Sequence, residues 1–561
     1  MTLNFKKHKE ELLFVPLGGA GEIGMNLNLY HLDGKWLMAD FGAGFAEDFM
    51  PGVDMIVPDI SFIQEHKKDL LGCVLTHAHE DHLGAIAYMW DQFSCPIYAT
   101  PFTANFLRAK INDSDLEKKN IKIIEVQCNS TFDIGPFNLE LVQITHSVPE
   151  MNAVMLRTRY GNVFHSGDWK LDPDPVVGPS TDEDYLQKLG DDGILAYVGD
   201  STNVFSPGTS GSEGDIIEHM TKLIQDSDQM VLVTTFASNV ARIETIAKAA
   251  QAAGRKIMLA GRSLWRITNV AKESGYLTDI KEPFLDTDQF KNVARDKLVV
   301  LSTGCQGEPL AATNKIVNGS HRDISIKPGD TVIFSSKIIP GNEKRIYRLF
   351  NKFAERDVKL FHEKNAKVHV SGHPNQDELK RMYELLRPEI SVPVHGELIH
   401  MKQHGRLAKD VGIEHACQVV NGDVLRLAPG KPEKLSVVTS GLLGIDGNFF
   451  LSPDSAIMRT RRKVQREGLI VVTLIIDDTG LFMEPIINAP GVIDAREDKD
   501  IFEALYEEVD VVLDEYFAST KKKRRKRSTI EQMTRSAIRR IIKREAGKNP
   551  VIEVNIRDLD A

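Results

Sequence analysis

Cysteine is scarce in this sequence. Five cysteines are scattered over 561 residues, at positions 73, 95, 128, 305 and 417, and no two of them form a CxxC pair. This spacing excludes a disulfide-stapled secreted fold and a thiolate metal site, and it is typical of reduced cytoplasmic thiols. We therefore expect a cytoplasmic protein in which any metal is held by histidine and aspartate.

Long apolar runs are also absent. The longest, LIVVTLII at residues 469–476, is far too short to span a bilayer, and its β-branched composition predicts a buried strand. The N-terminal residues MTLNFKKHKEELLFVPL show no apolar stretch followed by a cleavage site, so we expect no signal peptide and no membrane partner. The chain is too long for one core, and we expect two to four domains.

Positive charge is not in excess. The formal net charge is −10, which by itself argues against a nucleic-acid partner. Two basic clusters late in the chain depart from this balance, the run KKKRRKR at residues 521–527 and a looser group. That group is Arg459, Arg461, Arg462, Lys463 and Arg466. Each cluster fits a solvated linker or interface flank at least as well as an RNA contact.

The pattern of predicted strands and helices changes twice along the chain. The first part is made of short strands punctuated by glycine, and strands alternate with helical stretches between residues 215 and 365, which indicates an α/β layer architecture. After residue 438 a glycine-rich stretch leads into a basic segment, so we place a linker at 436–462 and a C-terminal domain at 463–561. No internal repeat is found.

The C-terminal domain is expected to contain a helix and a final strand. Ser528 and Glu531 have the spacing of a capping box, and Gly547 is positioned to end the helix. Four apolar residues stripe one face of this helix, namely Ile530, Met533, Ala537 and Ile541. We expect this stripe to be exposed and to pair with a second copy of the chain.

One glycine motif invites a different interpretation. Gly19, Gly21 and Gly24 match GxGxxG, but a dinucleotide site also needs a helix that opens at the motif. The residues that follow alternate like a hairpin with a turn at Asp33-Gly34. We therefore interpret the glycines as a structural turn between strands.

The stretch THAHEDH, residues 76–82, concentrates ligand-type side chains. It contains His77, His79, Asp81 and His82, and it follows the strand-like CVLT. Imidazole suits zinc, and a carboxylate adds an oxygen ligand. Four ligands within six residues cannot enclose one ion from every side, so two ions completed from elsewhere fit better.

Three later segments can complete such a site. His146 follows the strand LELVQI, Asp168 follows NVF, and His395 follows SVPV. Each is a ligand-type residue at the end of a strand, where a rigid scaffold presents functional groups. A single histidine at such a place is more often structural, but seven residues in this arrangement make coincidence improbable.

The sequence here resembles a known family. The motif HxHxDH with the later His, Asp and His resembles the metallo-β-lactamase superfamily, and VGDSTN, HVSGHPNQDEL and PVHGE resemble motifs of the β-CASP nucleases. GGAGEIGMN, HSGDWKLDP, STGCQGEP, IKPGDTVIFSS and IPGNE are similar to the ribonuclease J family. The resemblance covers residues 10–430 densely and the C-terminal domain more loosely.

The resemblance implies a fold and its boundaries. We expect an α/β protein with a metallo-β-lactamase αββα sandwich at residues 1–212 and 379–435, an inserted α/β β-CASP domain at 213–378, and a small α/β C-terminal domain. It also implies two Zn²⁺ per subunit, with Mn²⁺ or Mg²⁺ as alternatives. His77, His79 and His146 would hold one ion, Asp81, His82 and His395 the other, with Asp168 between them. Asp40 would orient ligands.

The resemblance further implies catalytic roles. His373 would be the general acid for the leaving 3′-oxygen, with Asp200 holding it protonated and Asp81 at the reacting centre. A 5′-phosphate pocket is expected where Ser238 would cap a helix whose first N–H groups bind the anion. The substrate-binding set is Ser238, Asn239, Val240, His369, Val370, Ser371, Gly372 and His373.

The expected activity is cleavage of single-stranded RNA. The resemblance implies a 5′-to-3′ exonuclease that prefers monophosphate ends and an endonuclease, acting in RNA processing and decay. His395 is the residue type of the RNA-directed β-CASP members. A homodimer, a tetramer and a helicase partner are further expectations. The alternatives are a small-molecule hydrolase of the same superfamily and an inactive RNA-binding scaffold. The small-molecule hydrolase would not need the long insertion between Asp200 and His373. The inactive scaffold predicts that metal-ligand residues have been lost, and none is missing from this sequence.

Overall fold

The computed structural model describes residues 3–114, 120–477, 480–519 and 526–559. The chain separates into two compact units. Unit 1 contains Met1–Gly44 and Val57–Gly441, and unit 2 contains Phe45–Ile56 and Leu442–Ala561. Among the described helices, none has both the length and the apolar composition that crossing a bilayer requires.

The first 200 residues are dominated by strands. The elements in chain order are β1 Leu12–Gly18, β2 Ala20–Gly21, β3 Leu27–Leu32, β4 Lys35–Ala39, β5 Gly44–Phe45, β6 Met55–Pro58, α1 Ser61–Glu65, β7 Leu70–Val74, α2 Glu80–Leu83, α3 Ile86–Met89, β8 Ile97–Ala99, α4 Pro101–Asn112, β9 Ile123–Glu125, β10 Thr131–Ile134, β11 Phe137–Gln143, β12 Asn152–Thr158, β13 Gly161–His165, α5 Glu183–Asp191 and β14 Ile194–Asp200.

Helices and strands alternate in the rest of unit 1. The elements are α6 Gly214–Gln225, β15 Val231–Thr234, α7 Val240–Ala252, β16 Lys256–Ala260, α8 Arg262–Glu273, β17 Leu298–Ser302, α9 Ala312–Val317, β18 Thr331–Phe334, α10 Glu343–Ala354, β19 Lys359–His362, α11 Gln376–Leu386, β20 Ile390–Val394, β21 Gly396–Glu397, α12 Leu398–Asp410, β22 His415–Ala416, β23 Asp423–Ala428 and β24 Glu433–Val437.

Two sheets form the sandwich of unit 1. One has the order β24-β23-β1-β3-β4-β7-β8-β9 and the other β10-β11-β12-β13-β14-β20-β22. Buried apolar residues from both sheets share one core, including Phe14, Leu139 and Val392. A second core lies between the latter sheet and helices α5 and α11. This is the metallo-β-lactamase architecture expected from the sequence, and the site occupies one of its edges.

The parallel pairs explain why distant residues meet. Strands β13, β14 and β20 run parallel, as do β4 and β7. The carboxyl ends of parallel strands lie at the same edge of a sheet. Asp200, the last residue of β14, and the residues that follow the other strands, Asp168, His395, Asp40 and His77, are therefore presented on common edges.

The GxGxxG segment is a turn between strands, as the sequence predicts. It lies between β1 and β3, and no helix opens there. Asp33 and Gly34 both have positive φ, 54° and 74°, which fits the two-residue turn of the β3–β4 hairpin. A side chain at Gly18 would place its Cβ 1.9 Å from the carbonyl oxygen of Met25, so the tight packing requires glycine.

The inserted domain contains a parallel five-stranded sheet. Its order is β16-β17-β15-β18-β19, and its pairs are all parallel. From β15 the chain continues to β16 and β17 on one side of β15, and it then crosses to β18 and β19 on the other side. Ligands of open α/β sheets bind at the carboxyl ends of strands where the direction switches, which is beside β15 here.

Unit 2 is assembled from two segments. Its later elements are β25 Leu442–Asp446, β26 Phe449–Leu451, α13 Ala456–Glu467, β27 Leu469–Ile476, β28 Ile486–Asn488, α14 Lys499–Ser519, α15 Arg527–Glu545 and β29 Val551–Asp558. Strands β5 and β6 extend the sheet β26-β25-β6-β5. The region 436–462 is therefore not a plain linker, because β25, β26 and the start of α13 lie within it. The other domain boundaries remain predictions.

Three expectations for the C-terminal domain are wrong. The stripe on α15 is not exposed, because Ile530, Ala537 and Ile541 are buried in the core of unit 2. The capping box does not form, since the N-cap of α15 is Lys526, two residues before Ser528, and it makes no side-chain hydrogen bond. Strand β27 is not fully buried; its residues alternate, because only one face packs on the helices.

The basic clusters have different outcomes. Within unit 2, Arg461 forms a two-pronged ion pair with Asp446 at 3.0 and 2.7 Å, and Arg462 donates to the carbonyl oxygen of Phe49. These two contacts fit the structural interpretation of that cluster. Residues 521–525 of the run at 521–527 lie outside the described residues.

Candidate metal centre

Four side chains from three loops converge at the first position. They are His77, His79, His146 and Asp168, and one ligand atom from each lies within 4.8 Å of the others. Nε2 of His146 is 3.2 Å from Nδ1 of His79, and Nε2 of His77 is 3.9 Å from Oδ2 of Asp168. Three loops that follow β7, β11 and β13 supply the set.

A second group shares Asp168 with the first. Its members are Asp81, His82, Asp168 and His395, again with ligand atoms within 4.8 Å of one another. Nε2 of His82 lies 3.2 Å from Oδ2 of Asp168 and 3.6 Å from Oδ2 of Asp81. Oδ1 of Asp168 lies 3.0 Å from Nδ1 of His395. All seven ligands predicted from the sequence are thus in two adjacent groups.

Asp40 orients the cluster from behind. Nδ1 of His82 donates to its Oδ2 at 2.7 Å, which aims Nε2 of His82 at the centre. The carboxylate also accepts from the amide and the hydroxyl of Thr76, the residue before His77. Asp40 and His395 both have positive φ, 62° and 49°, a conformation that only a few per cent of non-glycine residues adopt.

The donor set fits a metal ion. Nε2 of His77 is buried and makes no hydrogen bond within the described residues, and Oδ1 of Asp168 likewise has no partner with hydrogen-bond geometry. Unpaired buried polar atoms are costly and require an explanation. Burial lowers the pKa of His77, His79 and His146, that of His79 to about 4. These imidazoles are therefore neutral at pH 7, as metal ligands must be.

Charge is distributed differently in the second group. Burial alone would lower the pKa of His82 and His395, but the nearby carboxylates, first that of Asp168, outweigh it and raise the pKa of both. Burial would raise the pKa of Asp168, yet the surrounding histidines hold it well below its usual range. A cation that binds here must therefore displace protons.

His373 and Asp200 form a pair beside the cluster. Nδ1 of His373 donates to Oδ2 of Asp200 at 2.7 Å and lies 3.9 Å from Oδ2 of Asp168. Burial would lower the pKa of His373, but Asp200 and Asp168 raise it to about 9. The imidazole is protonated at pH 7, so it can donate a proton.

The loop of residues 369–372 lies against this centre. His146 donates from Nδ1 to the carbonyl oxygen of Gly372, and a Cβ at Gly372 would be 2.7 Å from Cε1 of His146. The amides of Ser371 and Gly372 donate to no acceptor within the described residues. Ser371 accepts from the side chain of Asn203 at 2.7 Å.

The start of α7 differs from the sequence prediction. The N-cap is Asn239, not Ser238, and its side chain accepts from the amide of Arg242. The amide of Val240 donates to Ser238, and that of Ala241 to the carbonyl oxygen of Ser147. These N–H groups are engaged within the chain, so the prediction that they bind an anion is wrong.

Sequence reasoning missed two site residues. The side-chain nitrogen of Asn26 lies 3.1 Å from Nε2 of His82 and 3.0 Å from Nδ1 of His395, so it contacts two predicted ligands. Ser147 places its hydroxyl 3.5 Å from Nε2 of His79 while its carbonyl holds α7. Asn26 ends the motif GGAGEIGMN and Ser147 follows His146, but neither position indicates these contacts.

The sandwich and its His/Asp cluster define a hydrolase of the metallo-β-lactamase class. Family models match in four places: the beta-lactamase superfamily domain at residues 51–182, the ribonuclease J beta-CASP domain at 228–353, the Zn-dependent metallo-hydrolase RNA specificity domain at 362–418, and the ribonuclease J C-terminal domain at 456–559.

Similar proteins agree with these models. A ribonuclease J of Sinorhizobium meliloti is 40% identical over 98% of this chain and 97% of its own length. One of Corynebacterium glutamicum is 35% identical over 86% of this chain and 67% of its own. The chain belongs to the ribonuclease J family. A crystal structure of a protein of unknown function from Enterococcus faecalis V583 has a similar fold, with a TM-score of 0.52 and 15% identity over 74% of this chain and 99% of its own.

Proposed function

We propose that the protein hydrolyses RNA phosphodiesters with two Zn²⁺ per subunit. The observation that carries this is the pair of ligand groups that share Asp168, with the protonated His373 beside them. When bound, two such ions supply a hydroxide nucleophile at neutral pH and neutralise phosphate oxygens. Mn²⁺ and Mg²⁺ are alternative metals for the same oxygen and nitrogen ligands.

The residues of the chain complete the reaction. A water molecule that has lost one proton adds its oxygen to phosphorus, the P–O3′ bond breaks, and His373 gives its proton to the leaving 3′-oxygen. The proton released by the water restores the protonated form of His373 through solvent. Asp200 holds the imidazole in orientation through the 2.7 Å hydrogen bond and favours its charged form. The products are a 3′-hydroxyl and a 5′-phosphate.

We propose that the enzyme degrades RNA from a 5′-monophosphate end and also cuts internally. The end would lie beside β15, between Ser238 and residues 369–372, where the strand direction switches. The unpaired amides of Ser371 and Gly372 and the hydroxyl of Ser238 are suitable donors. We propose these three groups as the donors to the terminal phosphate, in place of the α7 amides that the sequence predicted. A 5′-triphosphate would add bulk and charge at this position, so it should bind less well than a monophosphate.

A small-molecule hydrolase would use the same metal ligands. Two observations favour RNA over it. The chain carries a complete inserted parallel-sheet domain, and it matches a family model described as an RNA specificity domain. His395 at the final ligand position favours RNA over DNA within the β-CASP group.

The decisive experiment pairs metal analysis with cleavage assays. Purified protein is assayed for zinc and manganese by mass spectrometry, and 3′-labelled RNAs with 5′-monophosphate, triphosphate or hydroxyl ends are degraded in parallel. We expect two metal equivalents and the fastest trimming of monophosphorylated RNA. Equal rates on the three ends would refute the end pocket, and a metal-free active enzyme would refute the mechanism.

We further propose a cytoplasmic homodimer, able to form tetramers and to bind an RNA helicase. The five cysteines are free, which suits a reducing compartment. With the α15 stripe buried, support for self-association comes instead from exposed apolar side chains of unit 2, including Phe482, Ile486 and Val511. Sedimentation equilibrium tests the state directly, and a monomer at all concentrations would refute it.

A further inference from the structure

Arg242 is a fully buried arginine in the first turn of α7. None of its surface is exposed. Its Nε and Nη2 form a fork on Glu213 at 2.6 and 2.9 Å. A buried arginine of this kind contributes little net stability, because desolvating two charges offsets their attraction. The remaining hydrogen bonds of the guanidinium therefore point to a role other than stabilising the fold.

Those contacts run to the loop beside the metal centre. Nη1 lies 3.2 Å from the carbonyl oxygen of Val368 and 3.2 Å from Nδ1 of His369, and Nη2 lies 3.4 Å from the carbonyl oxygen of Val370. Burial and then the charge of Arg242 lower the pKa of His369, so this imidazole is neutral and accepts the hydrogen bond. Three consecutive residues are thus fixed by one side chain.

A serine strengthens the connection. The hydroxyl of Ser335, at the end of β18, accepts from Nη1 of Arg242 at 2.9 Å and donates to the carbonyl oxygen of Val368 at 2.7 Å. The backbone amide of Arg242 is itself bound by Asn239. The residue therefore ties the start of α7 to residues 368–370, which are the two sides of the proposed end pocket.

We propose that Arg242 is the positioning residue that sets recognition of the RNA 5′-phosphate. It does not touch the substrate. By holding the carbonyl oxygen of Val370, it fixes the peptide plane that carries the amide of Ser371, and it thereby keeps the unpaired amides of Ser371 and Gly372 available to the anion. This inference rests on the proposed function, since it assigns a cause to the preference for monophosphate ends.

The geometry requires arginine in particular. A planar guanidinium presents donors in a fixed fork, whereas a lysine ammonium is a point charge with three donors. Lysine at position 242 can stay paired with Glu213 but cannot also hold three acceptors of the loop. The variant Arg242→Lys therefore keeps the buried charge balanced and removes only the positioning contacts.

The test compares two variants with a matched control. Arg242→Lys and Ser335→Ala are assayed on 5′-monophosphate RNA, on 5′-hydroxyl RNA and on circular RNA, which has no end. The control is Ser302→Ala, a buried serine of the same sheet whose hydroxyl bonds to Thr313. We expect the ratio of kcat/KM for monophosphate to hydroxyl ends to fall roughly 10-fold in Arg242→Lys, the effect of losing hydrogen bonds to a charged group, and less in Ser335→Ala.

Cleavage of the circular RNA should stay within about two-fold of the unmodified enzyme in these variants, because neither variant replaces a predicted metal ligand or His373 and the hydrogen bond from His146 to Gly372 involves neither Arg242 nor Ser335. If the unmodified enzyme shows no preference for the monophosphate, the proposed end pocket has failed. If it shows the preference and both variants retain the full ratio, the role of Arg242 alone is refuted. Should Arg242→Lys not fold, Ser335→Ala decides, and an unchanged ratio there overturns the inference.

Discussion

At the scale of single residues, His77 offers the sharpest test of the metal assignment. It is fully buried and its Nε2 has no hydrogen-bond partner among the described residues. We expect His77→Ala to abolish RNA hydrolysis and to lower bound metal in mass spectrometry. The control is His31→Gln, a buried histidine that bonds to the carbonyl oxygen of Glu11 instead. Full activity of His77→Ala in metal-buffered solution would remove His77 from the site.

His373 should behave differently, because its role is proton transfer. We expect His373→Ala to retain the metal content of the unmodified enzyme and to lose roughly 10²–10⁴-fold in kcat. Single-turnover cleavage and metal analysis of the same sample separate these effects. A loss of metal would instead make His373 a ligand, consistent with its place in the group with Asp168 and Asp200.

The pH profile tests the partner of His373. The pKa of His373 is raised to about 9, so the acid is present below that pH and is lost as pH rises through it. In Asp200→Asn the favourable charge is removed and the pKa falls. We expect the alkaline limb of kcat to move down by about 1–3 pH units, the effect of one close opposite charge. An unmoved limb would show that another group sets it.

At the scale of elements, the loop before α7 is expected to serve RNA ends only. Ser238 is half-buried beside the proposed pocket. We expect Ser238→Trp to slow 5′-to-3′ trimming of linear RNA about 10-fold or more, while cleavage of circular RNA is preserved. Ser320→Trp, an exposed position in the same domain, controls for the added indole. Equal slowing on both substrates would place Ser238 in the general RNA path.

The same loops show what a sequence can reveal. The seven clustered residues were predictable as candidates because the segments that carry them come after the apolar strands β7, β11, β13 and β20. For β13 and β20, which both run parallel to β14, the carboxyl ends lie at the same edge of the sheet. The N-cap at Asn239 was missed by one residue, since Ser and Asn are both good caps and only the backbone distinguishes them. The contacts of Asn26 depend on residues up to 369 positions away, which no local pattern encodes.

Tertiary packing overrode other local signals. The α15 stripe has the period of a helix face, but the period alone does not say whether that face meets the chain's own sheet or a partner. Ser528 and Glu531 have the spacing of a capping box, yet the helix begins before them. The insertion of β5 and β6 into unit 2 was not foreseen, because this pairing joins segments almost 400 residues apart.

At the scale of the whole molecule, the sheet β26-β25-β6-β5 joins strands from two distant segments of the chain. We therefore expect that deleting the C-terminal segment of unit 2 leaves an aggregation-prone protein. A chain truncated after Gly441 keeps β5 and β6 but loses β25, their neighbour in the sheet. An unpaired strand edge promotes aggregation. We expect the truncated protein to aggregate when it is concentrated, as measured by light scattering. Removing residues 45–56 in addition should reduce this aggregation. A soluble, monodisperse truncation would show that β5 and β6 do not need β25 as a neighbour.

The place of β20 in the chain has a consequence for biosynthesis. The first ligand group is complete in the sequence at Asp168, but the second requires His395, more than two hundred residues later. At a synthesis rate of about 5–20 residues per second, the nascent chain carries only the histidine-rich half for roughly 10–45 s. On the proposed assignment, the ion beside His79 therefore has all its ligands synthesised before the other ion has a complete set.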